Sequence, residues 1–528
     1  RSPSPRPALP TGLPDAVVIG AGHNGLACAA YLARAGLEVV VLEASDRVGG
    51  ACVTEEIAPG WRLSTAADSL SLLHPAVVSE LGLKLDVRVG DPQIFVPLEE
   101  GGGLLLWDDP DRRARAIAKV SPVDAEGDRS LVELFEGAAR RLRPLASWPA
   151  TRRQVRRALA ASDVPNLFKR TIEDSIADLC EEHLSSEVMR GLWASQGVLG
   201  SSAGPRTPGT AYTYLHSALG SIGGRPGVRG FVAGGMGAVT AALADCVRAA
   251  GGAIRLQAEV ASVALDGGRR AGGVVLAGSG EIVEADAVCS SADPRRTTGL
   301  VPPEALAPEF VEDIDLLPIE GTVVKVNCAL SGLPRFRGMG SGSEPGPEHL
   351  GRIVVAPSIP SLERGCRAAA EGRVAAEMYC EASIQSAGEP GLAPEGGHTL
   401  SVIAQWAPYR LSEGSWEERR ESVGDLVLDT LARFAPGLQD LVEARVVLGP
   451  PDLEARFGLT GGHPWHGELL PDWMWDRRPA GGWHRHRTPL AGLYMCGAGT
   501  HPGGGVSGAP GRNGARAVLE DRVAAGRG

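Results

Sequence analysis

The chain is poor in several features by which proteins usually declare themselves. Aromatic residues supply only 5% of its 528 positions. No run of about 18 consecutive apolar residues occurs, so no segment reads as a membrane-crossing helix. Positive charge is not in surplus either: the formal net charge is -11, which removes the basic footprint of a nucleic-acid binder. The nine cysteines (Cys28, Cys52, Cys180, Cys246, Cys289, Cys328, Cys366, Cys380 and Cys496) are an odd number and contain no Cys-x-x-Cys pair. This argues for reduced thiols in an intracellular, cytoplasmic setting, and against a zinc ribbon, another metal centre or a redox-active disulfide.

What is present is an ample supply of core-forming residues, 43% of the chain, enough for two or three lobes. Glycine is abundant at 71 residues, and it falls in short clusters without a collagen-like period. The arginine-rich stretches "RRARAIAK" and "RRQVRRALA" read as solvated helix faces. Two such segments on one surface would still leave room for a peripheral contact with anionic lipid. The opening "RSPSPRPALPTGLP" lacks an apolar region, and residues 1–13 read as a flexible leader or a cloning remnant.

The most informative cluster is near the front. "AVVI" (16–19) is a short apolar run of strand type, followed by Gly20-Ala21-Gly22-His23-Asn24-Gly25 and the small, apolar helix pattern "LACAAYLARAG". A second buried strand, "EVVVLEA", carries Glu43 near its end. Each part has a role in dinucleotide binding. Gly20 permits a tight turn, Gly22 lets backbone approach a pyrophosphate, and Gly25 lets helix and strand pack closely. The helix N-terminus offers free N–H groups to phosphate. Glu43 is placed to accept hydrogen bonds from ribose hydroxyls. Beyond it, "ASDRVGG" adds Arg47, a bidentate partner for phosphate, and the pair Gly49-Gly50, which a simple nicotinamide site does not need. These additions favour FAD over NAD.

"VVIGAGHNGLACAAYLARAGLEVVVLEASDRVGG" resembles the N-terminal signature of the flavin amine oxidase and phytoene desaturase superfamily. The resemblance implies an α/β protein: a Rossmann-like FAD-binding domain of glutathione-reductase type with a discontinuous, mixed α+β substrate lobe. By it, Gly20, Gly22, Gly25, Glu43, Arg47, Gly49 and Gly50 would hold FAD. The glycine-rich "GLYMCGAGTHPGGGVSGAPGRNGARAVLED" is similar to the family's C-terminal return to the cofactor. Leu493 to Cys496 would form a strand, Gly497 and Gly499 a pyrophosphate turn, and Gly505-Val506 bare backbone beside the flavin ring. "GGMG" opens a helix leading to Val260, which matches the family's adenine contact. It lacks the spacing of a second dinucleotide motif, so no separate nicotinamide domain is expected. "TPGTAYTYLHSALG", "GGMGAV", "HGEL" and "CGAGTHPGGGVSGAPGRN" narrow the resemblance to phytoene-desaturase-like oxidoreductases named for a pyridine nucleotide-disulfide domain. That name sits poorly with the cysteine spacing.

The expected partition is 14–75, 225–299 and 485–528 for the FAD-binding domain, and 76–224 and 300–484 for the substrate lobe. In "GTVVKVNCAL", Val324, Val326 and Cys328 share one strand face and Lys325 and Asn327 the other. The resemblance makes Lys325 a candidate for positioning water or oxygen near flavin N5; the competing reading is a solvated lysine on an edge strand. Residues 461–487 hold four of the ten tryptophans, Trp465, Trp473, Trp475 and Trp483. They suit either a pocket wall for an apolar or cationic substrate or packing between lobes. His466 with Glu468 is the candidate proton-handling pair, and His216 is a further one. Each is equally readable as a hydrogen-bonded structural group. The expected activity is a dehydrogenase or desaturase taking a hydride from a C–H bond of a small or apolar substrate, reoxidised by oxygen or quinone. The alternatives are a redox-neutral isomerase of carotenoid-isomerase type, an amine oxidase, and an FAD-stabilised binding protein without turnover.

Overall fold

The computed structural model describes residues 13–340 and 342–526, so the leader expected over 1–13 falls, apart from Leu13, outside the described residues. The chain begins with β1 (Ala16–Ile19), α1 (His23–Arg34) and β2 (Val39–Leu42). It then leaves for a second lobe through β3 (Ile94–Pro97), β4 (Gly103–Leu106), the long α2 (Pro122–Ala146) and α3 (Thr210–Ala218). Returning, it forms α4 (Gly237–Ala249), β5 (Ala253–Arg255), a ribbon of β6 (Val260–Asp266), β7 (Arg270–Leu276) and β8 (Ile282–Glu284), then β9 (Ala287–Ser290) and α5 (Pro294–Gly299). A second excursion supplies β10 (Val323–Leu330), β11 (Arg352–Val355), β12 (Tyr379–Ser383), β13 (His398–Gln405), α6 (Trp416–Ala432) and β14 (Val442–Leu448). The chain closes with β15 (Leu493–Met495) and α7 (Ala509–Ala524).

Five strands from distant stretches pair in parallel in the order β5-β2-β1-β9-β15. A parallel sheet covered on both faces needs apolar side chains on both, which explains the unbroken run "AVVI". The alternation is visible in the packing. Val18, Val39, Val41 and Cys289 face a core made with α1, α4 and α7. Val17, Val40, Leu42 and Val288 face the core under the β6-β7-β8 ribbon. A glycine on α7 allows it to lie against α1: a Cβ on Gly511 would sit 2.1 Å from the Asn24 carbonyl oxygen.

The second lobe is built on a seven-stranded sheet, β14-β10-β13-β12-β11-β3-β4. β10 lies inside it, between β14 and β13, which rules out the edge-strand reading of Lys325. Arg113, in the first arginine-rich stretch, is half-buried, while Arg112 and Arg115 beside it are exposed. It donates to both oxygens of Asp128 at 2.6 and 2.7 Å, and Asp128 also receives Trp193 Nε1–H. Among the described residues no helix is long and apolar enough to cross a membrane.

Candidate functional site

Between the two sheets lies a cavity of about 1190 Å³, larger than the roughly 300–1,000 Å³ of an ordinary small-molecule pocket. One end is walled by Glu43, Arg47 and Val260, the middle by Gly20, Gly22, Ser291 and Ala498, and the far end by Lys325, Ile403, Leu199 and Arg229.

The three glycines of the first turn do different work. Gly20 has φ +90°, and a Cβ there would strike Ser291 Oγ at 2.6 Å. On Gly25 a Cβ would lie 2.1 Å from the Gly20 carbonyl oxygen. Gly22 is different: a Cβ there meets nothing within 4 Å, its φ is an ordinary -68°, and it faces the cavity. The protein's own packing has no use for its missing side chain, and its bare backbone is open to whatever the cavity holds. Gly22 also caps α1 without any side-chain cap or first-turn acid, so the positive end of the helix is open toward the cavity. An anionic pyrophosphate fits that cradle. Glu43 Oε2 accepts from the Ala21 N–H at 2.6 Å and Oε1 from the Ser45 N–H at 3.0 Å. Each oxygen keeps a lone pair for a ribose hydroxyl. Gly49 and Gly50 (φ +131° and +55°) bring the next loop back, with Gly49 bridging to Gly22. Arg47 lines this end and pairs with Glu55 at 3.1 Å.

The C-terminal return also reaches the cavity, with one correction. Gly497 and Gly499 do not line it. Their Cβ positions would fall 2.4 Å from the Ser291 carbonyl oxygen and 2.3 Å from Pro294 Cδ, so these glycines let the turn pack on the end of β9 and the start of α5. Ala498 between them faces the cavity, followed by Gly505 and Val506. Two imidazoles fix the carbonyls there: His23 Nε2–H donates to Gly505 at 3.1 Å and His216 Nε2–H to Gly504 at 2.9 Å. Burial pushes both rings down to about 4, which keeps them neutral near pH 7. Among the described residues His216 Nδ1 is buried without a partner. His216 and Leu72 also separate the main cavity from a side chamber of about 290 Å³.

Lys325 is 2% exposed. Its ammonium donates to Asp68 Oδ2 and to Ser401 Oγ, both at 2.9 Å, leaving its third N–H for the cavity that it lines. The expected pairing of His466 with Glu468 is not formed. Glu468 is buried away from the cavity, where it accepts from Ser201 Oγ, the Ser202 N–H, Ser202 Oγ and the Leu469 N–H at 2.8–3.0 Å. Two residues along a tight loop point to opposite sides, and His466 itself sits at φ +55°. His466 does line the cavity, with Nδ1 buried and, among the described residues, unpartnered; burial lowers its pKa. Of the four clustered tryptophans only Trp465 reaches the cavity. Trp475 packs on Tyr212 and Trp483 on Phe310, as inter-element filler.

Sequence reasoning passed over His23, Asp68, Ser291, Arg296, Ala498 and Arg229, all of which line the cavity. His23 stood inside the first glycine motif and Ala498 inside the last, and both could have been noted. The others have no local signature, because tertiary contacts alone bring them to the wall. Fully buried Arg478 was missed as well. Its guanidinium donates to the carbonyls of Glu468, Trp465 and Ala498 at 2.8–3.1 Å, tying the 465–468 loop to the C-terminal turn. All nine cysteines are free, so no disulfide serves the site.

Two glycine-rich segments from distant parts of the chain line one cavity that reaches a second sheet lobe, an arrangement that suits a flavoprotein oxidoreductase with FAD as cofactor. Family comparison is specific: residues 25–354 match the model of the flavin-containing amine oxidoreductases, and the chain belongs to that family. It is 36% identical to the mouse pyridine nucleotide-disulfide oxidoreductase domain-containing protein 2, over 96% of this chain and 93% of that one. It is 25% identical to a lycopene-forming phytoene desaturase of Pseudescherichia vulneris (93% and 96% covered). To one of the subunits of limonene dehydrogenase from Castellaniella defragrans the identity is 24% (96% and 94% covered). An oxidoreductase structure from Methanosarcina mazei shares the fold, with a TM-score of 0.63 at 20% identity over 96% of this chain and 99% of that one.

Proposed function

We propose that this protein is an FAD-dependent dehydrogenase or desaturase that converts a C–H bond of a small, largely apolar organic substrate into part of a double bond. The observation that carries the reading is the continuity of the cavity, from the cradle at Gly22 past Gly505 to the polar wall at Lys325. When bound, FAD supplies the two-electron acceptor for which the protein itself has no equivalent. The chain's own residues bind, orient and dry the substrate. Leu199, Ile403, Trp465 and Leu469 supply apolar wall. Lys325, held by Asp68 and Ser401, keeps one N–H available to fix a water or oxygen molecule. The proton released on oxidation would go to Nδ1 of His466, which is buried and free of partners among the described residues. Relatives named for the desaturation of phytoene and the dehydrogenation of limonene support this chemistry. Cationic Arg229 and Lys325 on the wall count against a protonated amine as substrate. Oxygen or a quinone is the proposed final acceptor.

The test is spectroscopic. The FAD-loaded protein, mixed anaerobically with candidate substrates, should lose its oxidised flavin absorbance with the right one and regain it on admitting oxygen or quinone. A protein that cannot be loaded with FAD would reject the reading. So would turnover that requires pre-reduced flavin yet consumes no acceptor, which belongs to an isomerase.

A further inference from the structure

Behind the substrate end of the cavity lies a buried charge cluster that does not balance. Glu381 is 4% exposed, and its Oε1 accepts from Arg352 at 2.9 Å, from Gln196 at 3.0 Å and from the Tyr379 hydroxyl. Its Oε2 accepts from Arg229 at 2.8 Å. Two guanidiniums therefore share one carboxylate. The next acid, Asp68, is within electrostatic reach of Arg229 but is engaged by Lys325 at 2.9 Å. Among the described residues the acids that pair with Arg229, Arg352 and Lys325 are Glu381 and Asp68, three cations to two carboxylates, so one positive charge is in excess at a half-buried stretch of the cavity wall. Such a charge is costly without a counter-ion.

Arg229 is where the surplus reaches the cavity. It lines the wall beside Asp68, and 17% of its side chain is exposed, whereas Arg352 does not line the cavity. A guanidinium has five N–H donors in a rigid fork. Among the described residues Glu381 is the only hydrogen-bond partner that Arg229 has. Leu72, Leu199 and Leu469 contribute apolar surface to the same cavity.

We infer that the substrate carries a carboxylate on an apolar skeleton and that Arg229 receives it; this rests on the proposed oxidoreductase reading of the cavity. The carboxylate would take the free fork of Arg229 in a charge-assisted hydrogen bond and neutralise the cluster. The apolar part would extend along Leu199 and Leu469 toward Gly505.

The experiment uses the FAD-loaded full chain with benzoate and octanoate, and with benzamide and octanamide as neutral partners of the same shape. Binding is read from the perturbation of the flavin absorbance spectrum. The carboxylates should bind at least about tenfold more tightly than the amides. Arg229→Gln should abolish that preference while leaving amide binding in place, and Arg229→Lys should restore part of it. Arg229→Gln leaves a balanced Arg352–Glu381 pair, so the fold should survive; unchanged thermal unfolding checks this. Amides binding as well as carboxylates, or a preference that survives Arg229→Gln, would overturn the inference. The two readings fail separately. Carboxylate binding lost in Arg229→Gln without any flavin reduction by carboxylate-bearing compounds would sink the dehydrogenase reading alone. Turnover with an unchanged KM in Arg229→Gln would sink the carboxylate site alone.

Discussion

Substituting alanine at Gly22 and at Gly25 separates what the protein needs from what its ligand needs. At Gly25 the new methyl would lie 2.1 Å from the Gly20 carbonyl oxygen, a backbone atom that can yield only if the turn moves. Overpacking of this kind costs about 1–3 kcal/mol, so Gly25→Ala should unfold more easily even without FAD. At Gly22 the methyl meets no atom within 4 Å, and φ is -68°. The lower unfolded-state entropy of alanine and its poorer capping offset one another, leaving a change within about 0.5 kcal/mol. With FAD the order changes. A methyl in the cradle displaces the pyrophosphate from the N–H groups of α1. Losing one such charge-assisted hydrogen bond, about 1.5–3 kcal/mol, weakens FAD roughly 10- to 150-fold. The assays are thermal unfolding of the apoprotein and titration of FAD followed by quenching of its fluorescence. Equal destabilisation of both apoproteins, or wild-type FAD affinity in Gly22→Ala, would refute the assignment of the cradle.

Lys325→Met should slow flavin reoxidation while leaving substrate reduction less affected; an unchanged reoxidation rate rejects the positioning role. Because Asp68 is 22% exposed and can rehydrate, the lost ion pair should cost about 1–3 kcal/mol, below the full figure for a buried pair. Glu468→Gln should lower the unfolding temperature, since three donors at Oε2 lose a charged acceptor, about 1–3 kcal/mol. It should leave the pH profile of turnover in place, and a displaced profile would return Glu468 to catalysis. His23, His216 and His486 are pushed by burial from 6.5 to about 4, and His463 and His501 to about 3. These rings take up protons only on unfolding, so their contribution is complete above pH 6.5 and is lost as pH falls from 6.5 toward 4. Each adds up to about 1.4 kcal/mol per pH unit in that window. A stability curve that is flat between pH 7 and 5 would contradict their burial.

Much of the cofactor side was legible in the chain because it is written in local pattern. Four consecutive apolar residues at 16–19, a glycine turn, a small-residue helix and an acid after the next strand specify a strand-turn-helix unit by spacing alone. Apolar residues at helical spacing over 129–145 and 416–434 are local pattern of the same kind, and the chain there forms α2 and α6. Sequence reading was misled where neighbours in the chain are not neighbours in space. His466 and Glu468 stand two residues apart and face different surroundings. Gly497 and Gly499 serve the packing of their own turn on Ser291 and Pro294, and the small residue between them meets the cavity.

The sequence by itself determined a strand-turn-helix unit with an open helix N-terminus, since turn geometry, helix polarity and strand burial are short-range properties carried by adjacent residues. Tertiary structure decided the chemistry of the opposite wall. Lys325, Asp68, Arg229 and Glu381 come from four separate stretches, and their charges interact only after two sheets have closed around one space. Coulombic and desolvation energies depend on distance and burial in the folded chain, which sequence separation does not encode.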